Sequence, residues 1–100
     1  MAFKIEVRPQ ALVDTLEIID WYSKISLGLG KRFYLQVKQH YKFLKSTPLL
    51  QVRYDNVRCL PVNKFPYMIH FIVEEKRKCV VVISIISTDR DPKMWDERIK

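Results

Sequence analysis

The run Cys79-Val80-Val81-Val82-Ile83-Ser84-Ile85-Ile86 constrains this chain more than any other feature. It is rich in β-branched residues and apolar at odd and even positions alike, so as a strand it has no face to give to water. A chain that contains it must cover both sides of a sheet, which calls for layers of other elements around it. Elsewhere the 100 residues hold only two glycines and five prolines, too few for long flexible linkers. With 48% hydrophobic and 29% charged residues, the balance is that of one globular domain over 1–100 and not of a disordered or fibrous chain. There is no internal repeat and no low-complexity segment.

The other periodicities supply the cover. Phe3, Ile5 and Val7 alternate with Lys4, Glu6 and Arg8, the period of a half-buried strand. Pro9 closes it and suits the first turn of a helix. From Pro9 to about Ile25, Leu12, Leu16, Ile19 and Tyr22 recur at helical spacing and form the expected buried stripe. Leu27-Gly28-Leu29-Gly30 interrupts it, and beyond the break Phe33, Val37, Tyr41 and Leu44 give a second amphipathic helix to about Lys45. The short connection makes an antiparallel helical hairpin. Val57 to Val62 reads as a short strand, edge or bulged because of Pro61. Pro66 to Val73 and Lys78 to Ser87 flank the charged turn Glu74-Glu75-Lys76-Arg77 as a β-hairpin, and Asp91-Pro92 opens a short helix through Arg98. The expected fold class is α+β: a β-α-α-β-β-β-α order, with the helical hairpin on a small twisted, mostly antiparallel sheet.

Charge is unevenly distributed. The net charge is +7, yet residues 24–64 alone carry Lys24, Lys31, Arg32, Lys38, Lys42, Lys45, Arg53, Arg58 and Lys64 against the single Asp55. Residues 9–23 carry Asp14, Glu17 and Asp20 and no base. On the second helix Lys31, Lys38, Lys42 and Lys45 share the face opposite Phe33 and Val37, bordered by Tyr34 and Tyr41. Such a stripe reads either as a solvated face or as a surface for an acidic partner, including stacked nucleic-acid bases. The opening MAFKIEVRP, charged at every second residue from Lys4 to Arg8, does not read as a signal peptide. The uncharged run Cys79–Thr88 is ten residues long, against about 20 for a spanning helix. A cytoplasmic protein without a membrane partner is expected. Cys59 and Cys79 have no paired spacing and read as buried free thiols.

No metal, P-loop, dinucleotide or Ser-His-Asp motif stands at usable spacing, so neither metal nor cofactor is expected. His40, between Val37 and Leu44, reads as a packing residue at the helix boundary. On the strand Pro66–Val73 parity puts Tyr67, Ile69, Phe71 and Val73 against the helices and Met68, His70 and Ile72 on the opposite face. His70 in an open concavity there could act as acid or base, and a half-buried His bonded to backbone is the plainer alternative. Arg90, at the corner between strand and final helix, faces either Asp89 or a phosphate.

Phe33 after the Gly-x-Gly break, Arg58 followed by Pro61, Lys64-Phe65-Pro66-Tyr67-x-Ile69-x-Phe71-x-Val73 and Arg90-Asp91-Pro92-x-x-Trp95-x-x-Arg98 together resemble the RelE/ParE superfamily of bacterial toxins, most closely its ParE side. The resemblance spans nearly the whole chain. It implies the toxin of a type II toxin–antitoxin pair, neutralised by a cognate antitoxin that wraps it. The implied target is DNA gyrase for the ParE type, or mRNA on the ribosome for the RelE type. The cleaving type places an arginine just after the tyrosine of the third strand, a second at the end of the fourth, and a tyrosine or similar group near the C-terminus. Those positions here hold Met68, approximately Asp89, and Trp95. Met68 cannot stabilise a phosphorane and Trp95 has no acid–base group, which points away from RNA cleavage and towards action by binding. An inactive or domesticated partner-binding module is the third reading. The candidate residues are Arg58, His70 and Arg90 for catalysis, and Arg58, Lys64, Arg90, Trp95 and Arg98 for target binding. Met68, His70 and Ile72 are the candidates for antitoxin binding.

Overall fold

The structure is a computed structural model that describes residues 2–88. In chain order the elements are β1 (Lys4–Val7), α1 (Pro9–Ile25), α2 (Leu29–Ser46), β2 (Val52–Tyr54), β3 (Val57–Pro61), β4 (Tyr67–Glu74) and β5 (Cys79–Ser87). The five strands form one sheet in the order β1-β5-β4-β3-β2. β1 runs parallel to β5 and the remaining pairs are antiparallel. The fold is α+β, as expected. One strand, β2, was not anticipated; the helix expected at Asp91–Arg98 lies outside the described residues. Among the described residues no helix is long and apolar enough to cross a membrane.

β5 lies between β1 and β4, and every residue from Cys79 to Ile86 is buried. On one side Val80, Val82 and Ile85 join Ile69, Phe71, Phe33, Val37, Leu44 and Ile18 under the helices. On the other Cys79, Val81 and Ile83 join Val57, Cys59 and Met68 in a second cluster. Rings lock the hairpin to the sheet. Tyr22 of α1, Phe33 of α2, and Phe65 and Tyr67 at the start of β4 meet with centroids 5.1–6.2 Å apart, mostly edge to face.

The buried face of α1 differs from the periodicity. Leu12 and Leu16 are 53% and 65% exposed, while Ala11, Asp14, Thr15, Ile18 and Tyr22 turn inward. Two local contacts account for the rotation. Register slips between β4 and β5 at His70/Phe71, where Phe71 pairs with Val82 but His70 with Ser84, leaving Ile83 as the extra residue of a bulge. Just beyond, the Ile85 N–H donates to Asp14 Oδ2 at 3.1 Å, and Gln10 Nε2 donates to Asp14 Oδ1 at 2.8 Å. A carboxylate hydrogen-bonded in this way belongs inside, whatever its hydropathy. At the other end of α1, Gly30 brings α2 against Ser23 and Ile19. α2 thus begins at Leu29 and contains Gly30, which the sequence placed in the break.

The two glycines have different jobs, and their alanine variants separate them. A Cβ at Gly30 would collide with Ser23 Oγ and sit 2.5 Å from the Ile19 carbonyl oxygen, a backbone atom that cannot step aside. Gly30→Ala is expected to destabilise by about 2 kcal/mol or more through overpacking. Gly28 stands in open space with φ +86°, so Gly28→Ala costs only the left-handed backbone, about 1 kcal/mol. Urea denaturation midpoints of the two variants give the comparison, and equal losses would contradict the close approach of the helices.

Candidate functional site

β3 and β4 sort the candidate residues by register. Cys59 pairs with His70 and Arg58 with Phe71. Phe71 belongs to the core beneath the helices, whereas Cys59 belongs to the cluster on the far face. Arg58 and His70 therefore point to opposite sides of the sheet and cannot act on one bond. Arg58 is held locally, its Nε donating to the Leu50 carbonyl at 2.6 Å.

The far face gathers Met68, His70 and Ile72 from β4 around Cys59 and Tyr54. His70 is fully buried, which corrects the expectation of an open concavity. Its Nδ1 lies 2.9 Å from the Tyr54 hydroxyl and 3.4 Å from Cys59 Sγ, side chains where backbone was expected. Burial, and then the positive charge of Arg53, push the His70 pKa down to about 4. Burial pushes the Cys59 thiol up to about 11 although Arg53 acts in the opposite sense. At neutral pH His70 is a neutral imidazole and Cys59 a thiol. Tyr54 Oη and Cys59 Sγ can each donate to or accept from Nδ1, according to the imidazole tautomer. Such a cluster can position and accept hydrogen bonds, but it offers neither an imidazolium as general acid nor a thiolate as nucleophile. Cys59 and Cys79 are both free and buried.

A second locus lies between α2 and the β3–β4 turn. Lys64, in the left-handed region at φ +70°, faces Arg32, Gln36 and Gln39 across a cleft of about 390 Å³ floored by Leu29, Leu35 and Phe65. His40 pins the cleft. Its Nδ1–H donates to the Gln36 carbonyl at 2.5 Å, and its Nε2 accepts the Asn63 N–H at 3.2 Å. The boundary residue expected at His40 is thus a tie between α2 and the turn that carries Lys64.

The structure therefore brings Met68, His70 and Ile72 together, sets Lys64 apart from them and puts Arg58 on the other side. Arg90, Trp95 and Arg98 lie outside the described residues. Arg53 and Tyr54 were missed because β2 was missed. The signal was available: Val52-Arg53-Tyr54-Asp55-Asn56-Val57 is a short hairpin whose turn uses Asp55 at φ +47°. Among the described residues no group of three or more His, Cys, Asp or Glu could hold a metal ion.

No protein-family model matches the chain, and no curated protein matches its sequence. Solved structures do match. The chromosomal ParDE toxin–antitoxin system of P. aeruginosa superposes with a TM-score of 0.72 at 17% identity, covering 86% of this chain and 96% of that one. The free E. coli toxin RelE gives 0.66 at 14% identity, covering 99% and 96%. The RelBE2 toxin–antitoxin complex of Mycobacterium tuberculosis gives 0.60 at 11% identity, covering 87% and 99%. The chain shares its fold with these ParDE, RelE and RelBE2 structures.

The His70 cluster has a titration signature. The unfolded chain protonates its imidazole near pH 6.5 and the folded chain only near 4. Between these values the unfolded state binds the extra proton, so stability falls as pH drops through the window, by up to about 3 kcal/mol for a fully realised shift. Denaturation midpoints measured from pH 7 to pH 4 are expected to decline less steeply in His70→Gln than in the wild type. Parallel curves would place no titrating imidazole in the core.

Proposed function

We propose that this chain is the toxin component of a type II toxin–antitoxin pair and that it acts by binding its target, with DNA gyrase as that target. One observation carries the reading. The superposition extends over nearly the full length of toxins from such systems, so the likeness is of a whole domain and not of a shared hairpin. Binding is favoured over cleavage by the state of the far sheet face. The residue after Tyr67 is the buried thioether Met68, His70 is buried and neutral, and the guanidinium of Arg58 is turned away. Phosphoryl chemistry needs positioned charge at the reacting phosphate, and these three residues bring none there.

The partner in this reading is a cognate antitoxin. Charge supports one that is acidic, because the region 24–64 has nine basic residues and one acid. The helical hairpin is our assignment for its docking, with Arg58, Lys64, Arg90, Trp95 and Arg98 for the target; Met68 and His70 are buried and Ile72 is half-buried, so those three do not form an open docking surface. The second reading, ribosome-dependent mRNA cleavage, has one observation in its favour: Arg53 acts electrostatically on both His70 and Cys59 and is the cation nearest that cluster in effect.

Two assays on the purified protein separate the readings. Inhibition of gyrase supercoiling together with accumulation of cleaved DNA complexes is expected, with mRNA left intact in a translation extract. Cleavage of mRNA that Arg53→Ala lowers at least tenfold would move the assignment to the ribosomal type. Activity in neither assay would contradict both targets.

A further inference from the structure

The lysine stripe of α2 is used by neither locus above. Lys38, Lys42 and Lys45 line, with Ile5 and Tyr41, a cleft of about 510 Å³ on the side of α2 that faces β1. Steps of four and three residues set the successive Cα positions of these lysines about 4.5–6 Å apart along the helix axis. Lys78 arrives from the β4–β5 turn: its Nζ lies over the Phe3 ring, 5.4 Å from the centroid. Phe3 itself is tied to the end of α2 by its N–H donating to the Lys45 carbonyl at 2.7 Å. Lys38 is seated over the Tyr34 ring at 5.4 Å. Three lysines thus line one cleft between α2 and β1, and a fourth, Lys78, lies over Phe3, whose backbone bonds the end of α2.

Among the described residues no carboxylate is paired with them. Among the described residues the ion pairs are Lys24 with Asp20, and Arg77 with Glu6 and Glu74. Glu6 and Glu74, the carboxylates of the neighbouring strands, are thus both occupied by Arg77. Lys38, Lys42, Lys45 and Lys78 have no carboxylate partner there. Burial pushes Tyr41 up to about 12, so it adds no negative charge to the cleft. The ammonium groups of Lys38, Lys42 and Lys45 at helical spacing, beside the exposed Tyr34, match a repeating phosphate chain with stackable bases.

We infer that the surface formed by Lys38, Lys42, Lys45 and Lys78 docks the phosphodiester backbone of a nucleic acid. The contact is independent of sequence and separate from the His70 face and the Lys64 cleft. It does not rest on the toxin reading, and its test involves neither gyrase nor cell growth.

The test is fluorescence anisotropy of the full chain with a labelled 20-nucleotide RNA and the DNA of the same sequence, over a range of salt. The wild type is expected to bind with a log–log salt slope near −3, as for about four single-strand phosphates. Lys42→Gln/Lys45→Gln is expected to weaken binding at least tenfold at low salt and to flatten the slope by about 1.4. Lys24→Gln, whose ammonium is already paired with Asp20 at 3.0 Å, is expected to leave both unchanged. Thermal unfolding of each variant verifies that it is folded. The tighter of the two oligonucleotides identifies the source of the backbone. Equal affinity and slope in wild type and double variant would overturn the inference. So would polyglutamate binding this surface in preference to both oligonucleotides, which would assign it to an acidic protein.

Discussion

β5 has no side for solvent, and the architecture follows from that. All of Cys79–Ile86 is buried, so the strand must be central, paired on both edges and covered on both faces. β1 and β4 take the edges, and the helical hairpin takes one face. On the other face a smaller cluster gathers Val57, Cys59, Met68, Cys79, Val81 and Ile83, with His70 paired across from Cys59. The position of the buried imidazole is a consequence of the same constraint. It occupies a face that the core strand requires to be dry, and dryness holds its pKa near 4.

The bulge at Ile83 links that constraint to the helices. It frees the Ile85 N–H, and Asp14 reaches from α1 to accept it at 3.1 Å. An unpaired buried donor costs about 1–3 kcal/mol, so this bond helps to fix the rotation of α1. Leu12 and Leu16 are left at the surface as a result. At the far end, Gly30 and the four-ring cluster of Tyr22, Phe33, Phe65 and Tyr67 set the distance between the helices and the sheet.

This explains which parts of the structure could be read from the sequence. Strand and helix periods at Phe3–Val7, Phe33–Leu44 and Cys79–Ile86 are local properties, and they gave the elements and the α+β class. The buried face of α1 was not legible, because Asp14 turns inward only in response to a bulge on a strand 71 positions away. β2 was passed over because Val52–Tyr54 is three residues long. Without it, neither Tyr54 nor Arg53 could be placed beside His70. Parity did assign Met68, His70 and Ile72 to one face. It could not reveal that Arg58, paired with Phe71, faces the other way.

The basic residues divide between two surfaces: Lys64 with Arg32 at one cleft, and Lys38, Lys42 and Lys45 at another. On the proposed reading, a toxin that engages both an antitoxin and a target has a use for separate surfaces of this kind. The most direct measurement of the central claim is growth of a bacterial host on induction of this chain, alone and together with a co-expressed small acidic protein that binds it. A toxin–antitoxin pair predicts arrest by the chain alone and restored growth on co-expression. Unimpeded growth with the folded protein accumulating to the same level would contradict it.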